Sequence, residues 1–463
     1  MQLYDTIAAV STPRGRGGVA LLRISGEGAV AVADRVFFPR NGKAMHALSP
    51  SRFVYGEIRM PGEAAAIDDG MAVVFRAPHS FTGEDTVEIT CHGGVLVTEV
   101  VLSAVLAAGA RPAEAGEFTR RAFVNGKLAL SEAEALGTLL DARTDSQLRL
   151  SRGGMEGRLS TRVDALSARL RHVLASVYAR IDYPDEELAD LSDVEMKALL
   201  SEIASEAKTL ADTYRTGHAA MEGIDTVICG PANAGKSSLY NALVGREAAI
   251  VTDVAGTTRD MLSETVALGR VTLRLTDTAG LRETEDRVEQ IGIDRARQAV
   301  ENAELILAVF DASSPICDES EALLSSLGSR KDSTVVLLNK SDEGASSAWE
   351  MRTAGFPHLL SISLKEDPDA AVSALRQCVE ALFTDGSLDL SSDAVVANAR
   401  QYAAIVRAIE CLERAIEAID GGLQADLYCL DAEEALSAFG ELDGREVGEE
   451  IVAEIFSHFC VGK

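Results

Sequence analysis

Gly230-Pro231-Ala232-Asn233-Ala234-Gly235-Lys236-Ser237 is the stretch whose reading decides the fold. It matches G-x-x-x-x-G-K-[ST], follows an apolar run from Thr226 to Gly230 and opens a segment that reads as a helix. A strand, a glycine-bracketed loop and a helix start, in that order, let backbone N–H groups close around phosphates. In that setting Asn233, Ala234, Gly235, Lys236, Ser237 and Ser238 are expected to face a nucleotide. Lys236 is expected to reach the β and γ phosphates, and Ser237 to offer its hydroxyl to Mg2+.

Working outward, Val271 to Thr276, Leu305 to Phe310, Thr334 to Asn339 and His358 to Ser361 read as further short apolar strands, with helical segments between them. That alternation predicts a doubly wound parallel sheet over residues 221–384, a Ras-like P-loop domain. Polar motifs stand at its strand ends. Asp277-Thr278-Ala279-Gly280 follows one strand; an Asp there suits Mg2+ through water, and the Gly lets its N–H meet a γ-phosphate. Asn339-Lys340-Ser341-Asp342 ends another. The Asp342 carboxylate can accept from N1–H and the 2-amino group of guanine, a donor pair that adenine lacks. Ser361-Ile362-Ser363 closes the last strand, where a backbone N–H can read guanine O6. Between the first two motifs, Thr252-Asp253-Val254-Ala255-Gly256-Thr257-Thr258 offers threonine oxygens for a second Mg2+ ligand. Asn233, with backbone oxygens of the 252–258 loop, is suited to a monovalent cation that takes the place of an arginine finger. A Gln after Asp-x-x-Gly positions water in small signalling GTPases. Leu281 stands there in this chain, so the role falls to another polar residue such as Glu283, Glu285, Asp286 or Glu289.

The flanks differ in character. Residues 1–120 are rich in Gly and β-branched residues, with Val19 to Ile24, Met71 to Phe75 and Thr86 to Thr90 as strands and Val97 to Ala108 as a helix, an α+β domain. In 121–220 apolar residues recur at spacings of three and four. Leu159, Val163, Leu166, Leu170, Val173, Val177 and Ile181 line one helix; Leu199, Ile203, Leu210 and Tyr214 line the next, behind a capping box at Ser192 and Glu195. From 385 to 463 helices return, with a stripe of Val395, Ala399, Tyr402, Ile405, Ile409, Leu412, Ile416 and Ile419. The two helical stretches are expected to pack together around an inserted nucleotide domain. Multidomain α+β and α/β is therefore the predicted class.

Of 463 residues, 44 are Lys or Arg and 72 are Asp or Glu, a net charge of −28, which argues against coating nucleic acid or anionic membrane by bulk charge. Residues 119–180 run the other way, with eleven basic and six acidic residues, and are a candidate face for phosphates. Seven cysteines without a CxxC predict neither a disulfide framework nor a zinc site, and a reducing cytoplasm. The longest apolar run, Leu305 to Phe310, is far short of the roughly 18 residues of a membrane span. The start, Met1 to Asp5, has no signal-peptide pattern.

With the residues in hand, the chain resembles the MnmE or TrmE family of tRNA-modification GTPases. The resemblance spans essentially the whole chain. It is carried by Asp5-Thr-Ile-Ala-Ala9, Gly15-Arg-Gly-Gly-Val19, Leu22-Arg-Ile-Ser-Gly26, Ser80-Phe-Thr-Gly-Glu-Asp85, Cys91-His-Gly-Gly94, Gly116-Glu-Phe-Thr119, Arg121-Ala-Phe-Val-Asn125, Asp182-Tyr-Pro-Asp-Glu-Glu187, the guanine-nucleotide motifs and Phe459-Cys-Val-Gly-Lys463. It implies an N-terminal folate-binding and dimerisation domain, a homodimer, and an FAD-containing flavoprotein partner of the MnmG/GidA type. Together they would build an aminomethyl or carboxymethylaminomethyl group on C5 of the wobble uridine, position 34, of certain tRNAs. A tetrahydrofolate derivative, in the 5-formyl or 5,10-methylene form, would give the one-carbon unit, and K+ would activate GTP hydrolysis. Matched by motif, Asn233, Thr252, Val254 and Thr257 would hold K+, and Ser237 and Thr258 Mg2+. Glu289 would orient the attacking water. Arg23, Glu88, Lys127 and Lys463 would contact the folate; a pterin shows an amide and 2-amino edge that a carboxylate such as Glu88 can read. Cys460 matches a Cys of the modification step. The chain departs from the family at Pro231-Ala232-Asn233, where Pro usually directly precedes Asn, at Val461, where Ile is usual, and at Ser341, where Ala is common. The competing readings are a non-enzymatic GTP switch in ribosome assembly and a stand-alone folate enzyme with a regulatory nucleotide domain.

Overall fold

The computed structural model describes residues 5–13, 15–182, 191–247, 263–276, 300–344 and 346–462. The chain divides into two compact units, one of Met1–Gly137 with Gly440–Lys463 and one of Thr138–Phe439. No helix of the described residues is long and apolar enough to cross a membrane.

The first unit is built on β1 (Ile7–Val10), β2 (Val19–Ser25), α1 (Ala29–Val36), β3 (Phe37–Pro39), β4 (Val54–Arg59), β5 (Ala66–Phe75), β6 (Thr86–His92), α2 (Val95–Ala107), β7 (Arg111–Pro112) and α3 (Glu117–Val124). The strands form one sheet in the order β3-β4-β5-β6-β2-β1-β7, antiparallel except where β7 joins β1. Alternation sorts the faces. Ala20, Leu22 and Ile24 of β2 and Val87 and Ile89 of β6 join Ala33 and Val101 of α1 and α2 in a closed apolar core. Arg23, Ser25, Thr86 and Glu88 take the other face, on which Ile7, Ala9, Ala113 and Phe118 form a small separate cluster. β1, β3, β4 and β7 were not expected from the sequence; three are four residues or shorter, too few to show a period.

The unit takes in more of the chain than a boundary at 120 allows, and it takes the chain end. Leu130, Ala133 and Leu136 of α4 (Leu130–Asp141) pack with Val452 and Phe456 of the helix Glu449–Ser457 and with Phe459. Val461 then forms an antiparallel bridge with Ala115, and the Ser11 hydroxyl donates to the Gly462 carbonyl at 2.9 Å. Gly462 has φ +100°, and a Cβ there would stand 2.2 Å from the Val10 carbonyl oxygen, so only glycine fits. Residues 440–463 therefore fold with the N-terminal sheet and not with the helix Ala399–Asp420. The aromatic side chains of Phe456 and Phe459 find their apolar partners there.

The second unit holds α5 (Asp145–Met155), α6 (Arg158–Asp182), α7 (Asp193–Asp212), α8 (Tyr214–Met221) and the helix Ala399–Asp420 beside a second sheet. Ser192 and Glu195 make the reciprocal capping box at the start of α7. Ile203 and Leu210 of the expected α7 stripe are buried, with Met196, Leu200 and Ala207; Leu199 is only half-buried, and Tyr214 belongs to the next helix. Ile181 is exposed. In Ala399–Asp420 the buried side is Ala404, Ile405, Ala408, Cys411, Leu412 and Ala415, while Tyr402 lies largely outside and stacks on Tyr214 with ring centroids 4.4 Å apart. The small residues allow the close approach to α7 that the larger isoleucines would prevent. The Val396 N–H donates to Thr213 Oγ1 at 3.0 Å, and Lys197 pairs with Asp420.

The second sheet comprises β8 (Ile224–Cys229), β9 (Ser263–Leu268), β10 (Val271–Thr276), β11 (Leu305–Asp311), β12 (Thr334–Asn339) and β13 (His358–Ser361), in the order β13-β12-β11-β8-β10-β9. All neighbours are parallel except β9 and β10. The added edge strand β9 revises the expected all-parallel sheet; Gly269 and Arg270 turn the chain back in two residues. Apolar layers cover both faces, one around Leu273, Val309 and Leu375 and the other around Phe310, Val336 and Trp349, the doubly wound arrangement.

A buried ion network closes the first unit. Arg121 is 1% exposed and donates to the Asp5 carbonyl (2.8 Å), Asp5 Oδ1 (2.6 Å), Glu84 and Glu117; Glu117 also binds Arg111. Burial alone would raise Glu117 and Asp5, but hydrogen bonds from the two arginines outweigh it and hold both carboxyls below their ordinary values. Carboxyls so depressed contribute stability that is complete above their unfolded values of 4.5 and 3.8 and is lost as pH falls through the lower folded values. Melting midpoints measured from about pH 6 down to about pH 2 should therefore fall more steeply for the wild type than for Glu117→Gln, which cannot titrate there.

Candidate functional site

The phosphate loop lies between β8 and α9 (Lys236–Glu247), at the carboxyl edge of the second sheet, where open α/β sheets bind ligands. Asn233 is in the left-handed region at φ +59°, and its side chain is exposed. Asn tolerates that conformation better than a branched residue does. Ala234 is buried; Ser237 and Ser238, in the first turn of α9, are exposed. The Lys236 ammonium donates to the carbonyls of Gly230 and Pro231, both at 2.7 Å, so it is held over the loop mouth by its own backbone. The Cys229 thiol just before the loop is driven up to about 12 by burial and is inert as a nucleophile.

Asn339 is the hub of this edge. Its Nδ2 donates to the Ala234 carbonyl at 2.9 Å, and its Oδ1 accepts from the Leu364 N–H at 3.1 Å. One side chain thus ties the phosphate loop to the segment after β13. Gly235, at φ +112°, leaves room for it, since a Cβ would fall 2.2 Å from Asn339 Nδ2. The Ser341 N–H donates to the Ile362 carbonyl at 3.2 Å, and the Ile362 N–H to the Leu338 carbonyl at 2.9 Å, so 339–342 and 361–363 are laced together. Ile362 is buried, Ser361 exposed and Ser363 half-buried, its hydroxyl capping the Glu366 N–H. Asp342 is exposed at this rim. Lys340, also left-handed, pairs with Asp311 at the end of β11. Burial opposes ionisation of Asp311, yet hydrogen bonds from Lys340 and Ser313 keep its carboxyl below the usual range. The Lys340–Asp311 pair was not foreseen, because only the β11–β12 register brings Asp311 opposite Asn339.

Thr252, Asp253, Val254, Ala255, Gly256, Thr257, Thr258, Asp277, Thr278, Ala279, Gly280 and Glu289 lie outside the described residues, as do Leu281, Glu283, Glu285 and Asp286. β9 and β10 bring the flanks of both segments to the same sheet, since Ser263 opens β9, Thr276 closes β10 and the two are register partners.

In the first unit Arg23 and Glu88 are register partners on β2 and β6, joined at 2.8–2.9 Å through Arg23 Nε and Nη2 to Glu88 Oε1. Phe81 and Phe118 lie next to the guanidinium, with ring centroids 5.3 and 5.7 Å from its carbon. Lys127 donates to the Pro78 carbonyl at 3.0 Å, in the same 77–85 segment that carries Phe81. Lys463 lies outside the described residues. Cys460 is exposed, and its carbonyl accepts weakly from the Gly116 N–H at 3.5 Å. Sequence reading singled out Arg23 and Glu88 but neither ring; the signal for Phe81 was its place in the Ser80–Asp85 motif. Part of the basic charge of 119–180 is held in ion pairs, and acids outside the stretch take Arg121, Arg169 and Arg180. Arg149, Arg152, Arg158, Arg169 and Arg180 are in ion pairs and Arg121 is buried, which leaves Arg143, Arg162 and Arg171 among its exposed cations.

Asn339→Ala should leave a carbonyl and an N–H unpaired at the loop, a cost of about 1–3 kcal/mol. GDP binding, followed by a fluorescent analogue, is expected to weaken roughly ten- to a hundredfold.

The model of the GTP-binding protein TrmE N-terminus matches residues 6–127, and that of the MnmE helical domain matches residues 130–460. A tRNA modification GTPase MnmE of Lactobacillus johnsonii is 38% identical over 99% of this chain and 98% of its own length. One of Geobacillus thermodenitrificans is 39% identical with both chains covered completely. The crystal structure of the G domain of the T. maritima FeoB iron transporter is similar over 34% of this chain and 94% of that one, at 20% identity and a TM-score of 0.24. Full-length identity to enzymes named as GTPases sets aside a non-hydrolysing switch. The chain is a GTP hydrolase that acts in tRNA modification, and it belongs to the MnmE family of tRNA modification GTPases.

Proposed function

We propose that this GTPase requires K+ and Mg2+ and works as a homodimer with an FAD-containing flavoprotein of the MnmG type in the cytoplasm. The complex installs an aminomethyl or carboxymethylaminomethyl group on C5 of uridine 34 of certain tRNAs, with a 5-formyl or 5,10-methylene tetrahydrofolate as one-carbon donor. In domain terms, 1–120 binds folate and dimerises, 221–384 is the inserted GTPase domain, and 121–220 and 385–463 form the helical domain, with 440–463 returning to the first unit. The observation that carries the reading is the match to MnmE proteins over the full length of the chain, which spans both candidate sites.

Several features of the chain support the details. The exposed Asn233 side chain and the exposed Ser237 hydroxyl, both beside the loop mouth, are oxygen donors of the kind that K+ and Mg2+ take. With Thr252, Val254 and Thr257 for K+ and Thr258 for Mg2+, these residues would bind the two cations, which supply positive charge against the phosphates. Lys236 exchanges its loop carbonyls for phosphate oxygens. Asp342 accepts from the guanine edge, with Ser361, Ile362 and Ser363 beside it. Glu289 orients water. At the first unit, Glu88 has one carboxylate oxygen beyond its bond to Arg23 and so can accept from a pterin, while Lys127 and Lys463 suit the glutamate tail. Cys460 belongs to the modification step.

Two measurements test this. Nucleoside mass spectrometry of total tRNA from cells lacking the protein should show loss of C5-substituted wobble uridines, restored by wild type and not by Ser237→Ala. An unchanged profile would overturn the modification chemistry. GTP hydrolysis should be at least about tenfold faster in KCl than in NaCl at matched ionic strength; equal rates would remove the cation role of Asn233.

A further inference from the structure

Arg23 presents a flat guanidinium whose orientation decides what the Arg23–Glu88 pair can read. Both of its bonds to Glu88 converge on Oε1, so Oε2 remains as an acceptor beside the other guanidinium donors. Two rings stand beside it, 5.3 and 5.7 Å from its carbon. Phe118 is fully buried on α3 and needs no other support. Phe81 is 37% exposed and sits in an irregular segment, so its own burial does not hold it.

The next residue does. Thr82 is fully buried, and its Oγ1 lies 2.7 Å from Ser25 Oγ and 3.3 Å from Thr86 Oγ1. The Glu84 N–H donates to it at 3.3 Å, and the Thr82 carbonyl accepts from Asn125 Nδ2 at 2.7 Å. Ser25 and Thr86 are register partners, one same-face step along the β2–β6 ladder from Arg23 and Glu88. Glu84 accepts from Ser25 at 2.8 Å and pairs with the buried Arg121. The segment is therefore pinned to the rung beside the reading pair, from both its side chain and its backbone.

We propose that Thr82 is a positioning residue for the Arg23–Glu88 pair. It fixes the backbone that carries Phe81, and Phe81 in turn holds the Arg23 guanidinium in the plane that a reduced pterin edge requires. The inference rests on the reading of Arg23 and Glu88 as folate contacts. Thr82 acts only through Phe81, which predicts that the two are not additive.

The test is calorimetric binding of 5-formyltetrahydrofolate to the full-length protein. Thr82→Val keeps the volume and removes the hydroxyl, and is expected to raise Kd about tenfold; Thr82→Ser should stay within about twofold of wild type. Phe81→Leu should weaken binding by a similar factor, and Thr82→Val added to it should change little further. Should Thr82→Val fail to fold, Ser25→Ala removes the other half of the 2.7 Å contact and takes its place. Wild-type affinity in Thr82→Val, or full additivity with Phe81→Leu, overturns the proposal. Val30→Ala, in the core on the opposite face, serves as the control for simple destabilisation, and an equal loss of affinity there would also overturn it. If Glu88→Gln binds as wild type does, the folate reading of the pair falls, and the proposal falls with it.

Discussion

The nucleotide edge of this protein depends on a single buried carboxamide. Asn339 stands at the end of β12 and satisfies a carbonyl of the phosphate loop and an N–H beyond β13 at the same time. Parallel strands leave their carboxyl ends as separate loops with no ladder between them. A side chain with one donor end and one acceptor end joins two such loops at little entropic cost, because its own backbone is already fixed in the sheet. Everything local follows: Gly235 must lack a Cβ to admit it, the Lys236 head is left over the loop, and 361–363 is brought against 339–342.

The first unit solves the same problem with charge. Arg121 collects Asp5, Glu84 and Glu117 from three separate stretches of chain, and Arg111 shares two of the carboxylates. A charge buried so completely is tolerated only when its partners are in place. The network is therefore a condition on the arrangement of the N-terminal segment, the 77–85 segment and α3 together. That arrangement sets Phe118 and Phe81 beside the Arg23 guanidinium. Nucleotide site and candidate folate site thus share a principle. In each, a buried polar side chain, Asn339 at a strand end or Arg121 on α3, orders the irregular backbone that carries the chemistry.

The chain end shows how an element can belong to a unit far from it in sequence. Phe456 and Phe459 find apolar partners on α4, Val461 bridges Ala115, and Gly462 fits against Val10. Cys460 is thereby held in the same unit as Arg23 and Glu88. The unit boundary thus follows the side chains that need covering, not the linear order of helices.

Local chemistry was legible before any coordinates. The phosphate-loop spacing, the apolar runs of β8, β11 and β12 and the capping box at Ser192 each require only neighbouring residues, and each has a short-range physical cause. What needed the tertiary structure were contacts between residues far apart. Examples are the burial of Leu200 in place of Leu199 on α7, which packs against Ala399–Asp420, and the short strands β1, β3 and β7, which have no period of their own. The ion pairs that tie Arg169 and Arg180 of 119–180 to acids of α7 are another, and so is the pairing of Arg23 with Glu88 beside two rings. The sequence determined which chemical groups exist and which local shapes carry them. Only packing decided which of those groups meet, because burial free energy and strand register act across separations that no local pattern records.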